Sequence, residues 1–185
     1  MKVSKNIRMF EGAEFSSNCY LILEKPVFLV DTGDGSNKEK LLEFIKRYID
    51  EKELKYIVNT HSHFDHTGAN EFIREKTGAE ILKEQDLKGK KKIGSFEIIE
   101  TPGHHSSAVC LYNKEKKILI SGDTIFSTGS VGRTDIGGNP ENLKKSVKKL
   151  SELDVKILLT GHGEPALENG NEIINKALSL VKNLP

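Results

Sequence analysis

Three imidazoles and a carboxylate fall within six consecutive residues of the stretch Thr60-His61-Ser62-His63-Phe64-Asp65-His66-Thr67-Gly68. Neutral imidazole nitrogens and an ionised carboxylate suit Zn(II), Fe(II) or Mn(II), and no thiolate stands among them to favour a structural zinc site. The cluster therefore points to a metal that does chemistry. The plainer alternative is a polar turn whose histidines cap the following helix. It leaves unexplained why the chain has only six His, with the other three beside glycine in two further short motifs.

Those motifs are Thr101-Pro102-Gly103-His104-His105-Ser106 and Thr160-Gly161-His162-Gly163. The Pro-Gly pair forces a turn that can present one imidazole inward. His104 is the expected third ligand and His105 its competitor, because adjacent residues in an extended turn point apart. Lys117-Ile118-Leu119-Ile120-Ser121-Gly122-Asp123 delivers a carboxylate in the same way, and Asp123 is placed to bridge two metals. In an extended backbone His61 and His63 project to one side, and a turn after Phe64 lets Asp65 and His66 diverge to a neighbouring point. Two adjacent metal sites follow.

The elements needed to position these groups can be read from the same chain. Asn18–Leu23 and Val27–Asp31 are apolar runs around Glu24-Lys25-Pro26, as expected of a buried hairpin. Asp31 closes the second strand, either as a turn former or as the carboxylate that orients a metal-bound imidazole. Leu41, Leu42, Ile45 and Ile49 share one face of a helix expected from Ser36, its N-cap, to Ile49. Lys55–Thr60 is a strand ending directly in His61, the place where open sheets bind ligands. A helix over Thr67–Lys76 stopped by Gly78 and strands at Ala79–Leu82 and Phe96–Glu100 continue the α/β alternation. Asn139-Pro140-Glu141 opens a helix with Leu143, Val147 and Leu150 inward, and a closing helix from Glu168 turns Ile173, Ile174, Ala177, Leu178 and Val181 inward.

A chain of 185 residues, 36% hydrophobic and 30% charged, is expected to form one domain over 1–185. Its formal net charge of +1 gives no reason to expect nucleic acid or a membrane surface as partner. Lys88–Lys92 and the lysines at 144, 145, 148 and 149 read as solvated surface, with no aromatic residues interleaved. Basic residues in Met1–Phe10 precede no apolar targeting segment, so a cytoplasmic location is expected. Cys19 and Cys110 lie in apolar contexts without a CxxC spacing and are expected to be buried thiols, not nucleophiles.

The set His61-x-His63-x-Asp65-His66, then His104, Asp123 and His162, resembles the metallo-β-lactamase superfamily in order and spacing. Gly122-Asp123-Thr124-Ile125-Phe126, Gly129-Ser130-Val131-Gly132-Arg133-Thr134-Asp135 and Gly161-His162-Gly163-Glu164-Pro165 resemble its glyoxalase II-like branch. The resemblance implies an α/β fold of the αβ/βα four-layer sandwich type, with two mixed sheets and helices outside. It implies that His61, His63 and His104 hold one metal and Asp65, His66 and His162 a second, with Asp123 bridging. Two divalent ions, Zn(II) foremost and Fe or Mn compatible, would share a hydroxide that attacks an acyl carbonyl, with Asp65 orienting it.

The expected activity is hydrolysis of a small-molecule acyl thioester of the hydroxyacylglutathione type. The alternative within the superfamily is a persulfide dioxygenase-like oxidoreductase with a single iron. A counterpart of the C-terminal helical domain that grips glutathione in glyoxalase II is not expected, and His105 stands where relatives often carry Thr. Arg133 and Asp135 are expected to form a structural ion pair, with a substrate-carboxylate role as the competing assignment.

Overall fold

Short β-branched and aromatic runs alternate with helical patterns along this chain. In the computed structural model, which describes residues 1–182, they build two five-stranded mixed sheets, one in each of two compact units. The first unit, Met1–Leu87, contains β1 (Ile7–Phe10), β2 (Cys19–Ile22), β3 (Phe28–Val30), α1 (Lys38–Lys46) and β4 (Tyr56–Val58). It continues with α2 (Phe64–Thr67), α3 (Asn70–Thr77), β5 (Glu80–Leu82) and α4 (Glu84–Leu87).

The strand order is β1-β2-β3-β4-β5, antiparallel as far as β3 and parallel from there on. The connections explain the switch. A short turn between β2 and β3 returns the chain antiparallel, whereas the helical crossovers after β3 and β4 bring it back parallel. Leu21, Leu29 and Ile57 pack in one buried cluster with Leu41, Phe44 and Ile45 of α1 and Ile73 of α3. Tyr20, Ile22, Phe28, Val30 and Val58, which alternate with them, are buried as well. These strands therefore read as continuous apolar runs rather than as a half-exposed alternation.

The second unit, from Lys88 onward, contains β6 (Lys92–Ile93), β7 (Phe96–Glu100), β8 (Val109–Asn113), β9 (Ile118–Gly122), α5 (Pro140–Ser151), β10 (Ile157–Thr160) and α6 (Gly170–Val181). The strand order is β10-β9-β8-β7-β6, with only the β9–β10 pair parallel. α5 begins where the sequence places it: Asn139 Oδ1 accepts from the Asn142 N–H at 2.8 Å, with proline in the first turn. Leu143, Val147 and Leu150 of α5 pack with Ile174, Ala177 and Val181 of α6 against Cys110, Leu119 and Leu158 of the sheet. Burying each such leucine contributes about 2 kcal/mol.

Two expectations need correction. Ser36 does not cap α1, which starts at Lys38 after Asn37; the Ser36 hydroxyl donates instead to Asp34 Oδ1 at 2.7 Å. The helix expected over Thr67–Lys76 is two helices, α2 and α3, separated at Gly68 and Ala69. At the break the Gly68 N–H donates to the Gly33 carbonyl at 2.8 Å, outside either helix, and a Cβ at Gly68 would collide with the Asp34 carbonyl group. Gly78 ends α3 in the left-handed conformation, as the sequence indicates. Cys19 and Cys110 are free and buried. No helix among the described residues is long and apolar enough to cross a membrane.

Candidate metal centre

In the first unit, β4 runs through Asn59 and Thr60 into His61, and His63 is still extended (φ −62, ψ 146) where α2 begins. That extended stretch leaves His61 Nε2 and His63 Nδ1 3.1 Å apart. The first turn of α2 then carries Asp65 and His66, with His66 Nε2 3.8 Å from Asp65 Oδ2. Ligand atoms about 2.1 Å from one tetrahedral cation stand about 3.4 Å apart. Both spacings lie near that value.

Asp31, just past β3, does both things the sequence allowed it. It turns the chain at φ 57, and its Oδ2 lies 2.8 Å from His66 Nδ1. The same carboxylate accepts from the Thr60 N–H at 2.9 Å and the Thr60 hydroxyl at 2.8 Å. A carboxylate on one ring nitrogen fixes the tautomer and turns the other nitrogen into the ligand. The His66 carbonyl is also held, by the Thr32 N–H at 2.9 Å and by Asn59 Nδ2 at 3.3 Å. Asn70 Nδ2 in turn donates to Asn59 Oδ1 at 2.7 Å. Sequence reasoning passed over Asn59 and Asn70; the available signal was an amide side chain at the end of an otherwise apolar strand.

In the second unit the strand ends of β7, β9 and β10 lead to His104, Asp123 and His162. Asp123 Oδ2 lies 3.7 Å from His104 Nε2 and 3.4 Å from His162 Nε2, so one oxygen faces two imidazoles. His104 Nδ1 lies 2.7 Å from the Arg133 carbonyl, which orients Nε2 toward Asp123. Gly132 packs flat on this histidine: a Cβ there would stand 2.8 Å from His104 Cγ and would collide with the Asp123 carbonyl oxygen. Arg133 and Asp135 form a two-bond fork at 2.8 and 2.6 Å, mostly exposed, which holds the Asp135 carboxyl down at about 2. The expected ion pair is present, and the contact of the Arg133 carbonyl with His104 has no signature in the sequence. His105 Nδ1 lies 3.2 Å from Ser107 Oγ.

The ligand atoms of His61, His63 and His104 lie within 4.8 Å of one another, and so do those of Asp65, His66, Asp123 and His162. His105 belongs to neither group. Five imidazoles and two carboxylates, borderline and hard donors, fit divalent transition metals. No thiol competes as nucleophile, because burial pushes Cys110 up to about 11 and Cys19 well above its ordinary value.

Two mixed sheets and groups of histidine and aspartate able to hold metal define a class, and the chain belongs to the metallo-beta-lactamase superfamily, whose family pattern matches residues 12–92 and 80–162. It is 32% identical to a probable metallo-hydrolase of Methanocaldococcus jannaschii over 85% of this chain and 93% of that protein. The hydroxyacylglutathione hydrolase GloC of Haemophilus influenzae is 30% identical over 85% of this chain and 91% of that protein. The crystal structure of TTHA1623 in a di-iron-bound form superposes with a TM-score of 0.72 at 26% identity, covering 89% of this chain and 96% of that chain.

Proposed function

We propose that the protein is a hydrolase of small acyl thioesters of the hydroxyacylglutathione type, working with two divalent metals, zinc foremost. The similarity to hydroxyacylglutathione hydrolase GloC over 91% of that protein's length is the observation that carries this reading. His61, His63 and His104 would hold one ion and Asp65, His66 and His162 the other, with Asp123 shared; the two groups of ligand atoms support this division. Bound divalent ions supply an activated water at neutral pH and polarise a carbonyl, which removes the need for a serine or cysteine nucleophile.

The chain's own residues do the rest. Asp65, whose side chain is 23% exposed, would orient the attacking hydroxide. Asp31 and the Arg133 carbonyl hold His66 and His104 in the tautomer that points Nε2 inward. Asp123 places negative charge between the imidazoles of its unit, which offsets the repulsion of two cations. The substrate is a small molecule. Four side chains in the second ligand group favour two metals over the mononuclear iron of a persulfide dioxygenase.

Thiol release from a hydroxyacyl thioester tests the reading, with metal-replete and chelator-stripped protein compared. Turnover that disappears on stripping and returns with Zn(II) is expected. Hydrolysis of a lactone or phosphodiester with no thioester cleaved would overturn the substrate class.

A further inference from the structure

We propose that Thr101, Cys110 and Thr124 form a positioning tie that sets the separation between His104 and Asp123, an inference that rests on the metal reading above. β7 and β9, the strands leading to these two ligands, are not neighbours; β8 lies between them and contributes no ligand. The β8–β9 ladder runs from Asn113↔Ile118 to Leu111↔Ile120 and stops short of Asp123. Over that last stretch the link is made by side chains. Cys110 Sγ lies 3.5 Å from the Ser121 carbonyl and 3.6 Å from Thr124 Oγ1 on one side, and 3.3 Å from Thr101 Oγ1 on the other. Thr124 Oγ1 donates to Thr101 Oγ1 at 3.3 Å, closing a ring of three side chains.

All three residues are buried to 1% exposure or less. Water therefore offers no alternative partner, and each lost contact leaves a polar group unsatisfied in the interior. Thr124 directly follows Asp123, and Thr101 precedes His104 by a Pro-Gly turn, so a shift in the ring displaces both ligands. His162 is held differently: the Gly161 N–H donates to the Gly122 carbonyl at 2.8 Å, a backbone link that the ring does not supply. The expected effect is thus on the His104–Asp123 pair.

Co(II) binding to the full chain tests this through chelator competition and the visible d–d spectrum. Thr101→Val and Thr124→Val keep shape and remove only the hydroxyl, which keeps the test sound should Cys110→Ala fail to fold. Each should weaken Co(II) binding about tenfold and shift the d–d band, as loss of groups behind metal ligands does elsewhere. Cys110→Ser should restore most of the affinity lost in Cys110→Ala. The control is Thr77→Val, which removes a buried hydroxyl donating to the Ile73 carbonyl at 2.7 Å within α3. It should lower the melting temperature without altering Co(II) affinity or spectrum. Wild-type affinity and spectrum in both valine variants would overturn the tie, as would an equal affinity loss in Thr77→Val. A wild-type chain that bound no Co(II) would overturn the metal reading and this inference with it.

Discussion

Single carboxylates carry different burdens in this protein, and substitution should separate them. Asp31 contacts His66 and Thr60 and sits at φ 57, a conformation that Asn and Asp tolerate better than other side chains. Asp31→Asn should therefore keep the backbone while removing the charge behind His66, weakening metal binding about 10-fold or more. Asp31→Ala adds backbone strain on the order of 1 kcal/mol, and calorimetry should show it as a further loss of stability. Asp123→Ala should release both metals together, because its carboxylate faces two imidazoles, whereas His162→Ala should empty mainly one site. Equal metal loss in these two variants would argue against a shared carboxylate.

The elements show why these residues meet and how much of the meeting could be foreseen. His61, Asp123 and His162 follow strands whose apolar runs are unmistakable, so these candidate ligands are legible at strand ends, whereas their division into two sites rests on the family resemblance. What could not be read were features created by close packing. At the break between α2 and α3 the Gly68 N–H turns to the Gly33 carbonyl and Gly68 lies against Asp34, and beside the Arg133 carbonyl Gly132 lies against His104. Neither has a local sequence signature. β1, with only Ile7 and Met9 buried in alternation, and the two-residue β6 are too short to show a period. Gly132→Ala should push His104 out of register and lower metal affinity with little change in secondary structure, a result that metal titration beside circular dichroism would register.

The same packing sets an alkaline limit. Burial raises the Cys110 thiol to about 11, so the folded chain resists ionisation there while the unfolded chain ionises near pH 8.5. This contribution is fully present below about pH 8.5 and is lost as pH rises toward about 11, roughly 3 kcal/mol in all. Urea unfolding across that window should show a steeper fall in the wild type than in Cys110→Ser, where the buried Cys19 thiol alone remains.

At the scale of the whole molecule, seven His and Asp side chains fall into two groups that could each hold a metal ion. Metal that binds only the folded chain stabilises it by about 4 kcal/mol at a thousandfold excess over the dissociation constant. Chelator-stripped protein should therefore melt several degrees lower and recover on reloading. The most direct test of the account is the metal content of the protein purified without added metal or chelator, measured by elemental analysis against chain concentration. About two divalent ions per chain are expected from two ligand groups, with Asp123 facing both His104 of the first and His162 of the second. A single iron per chain, with oxygen consumed on addition of glutathione persulfide, would contradict it.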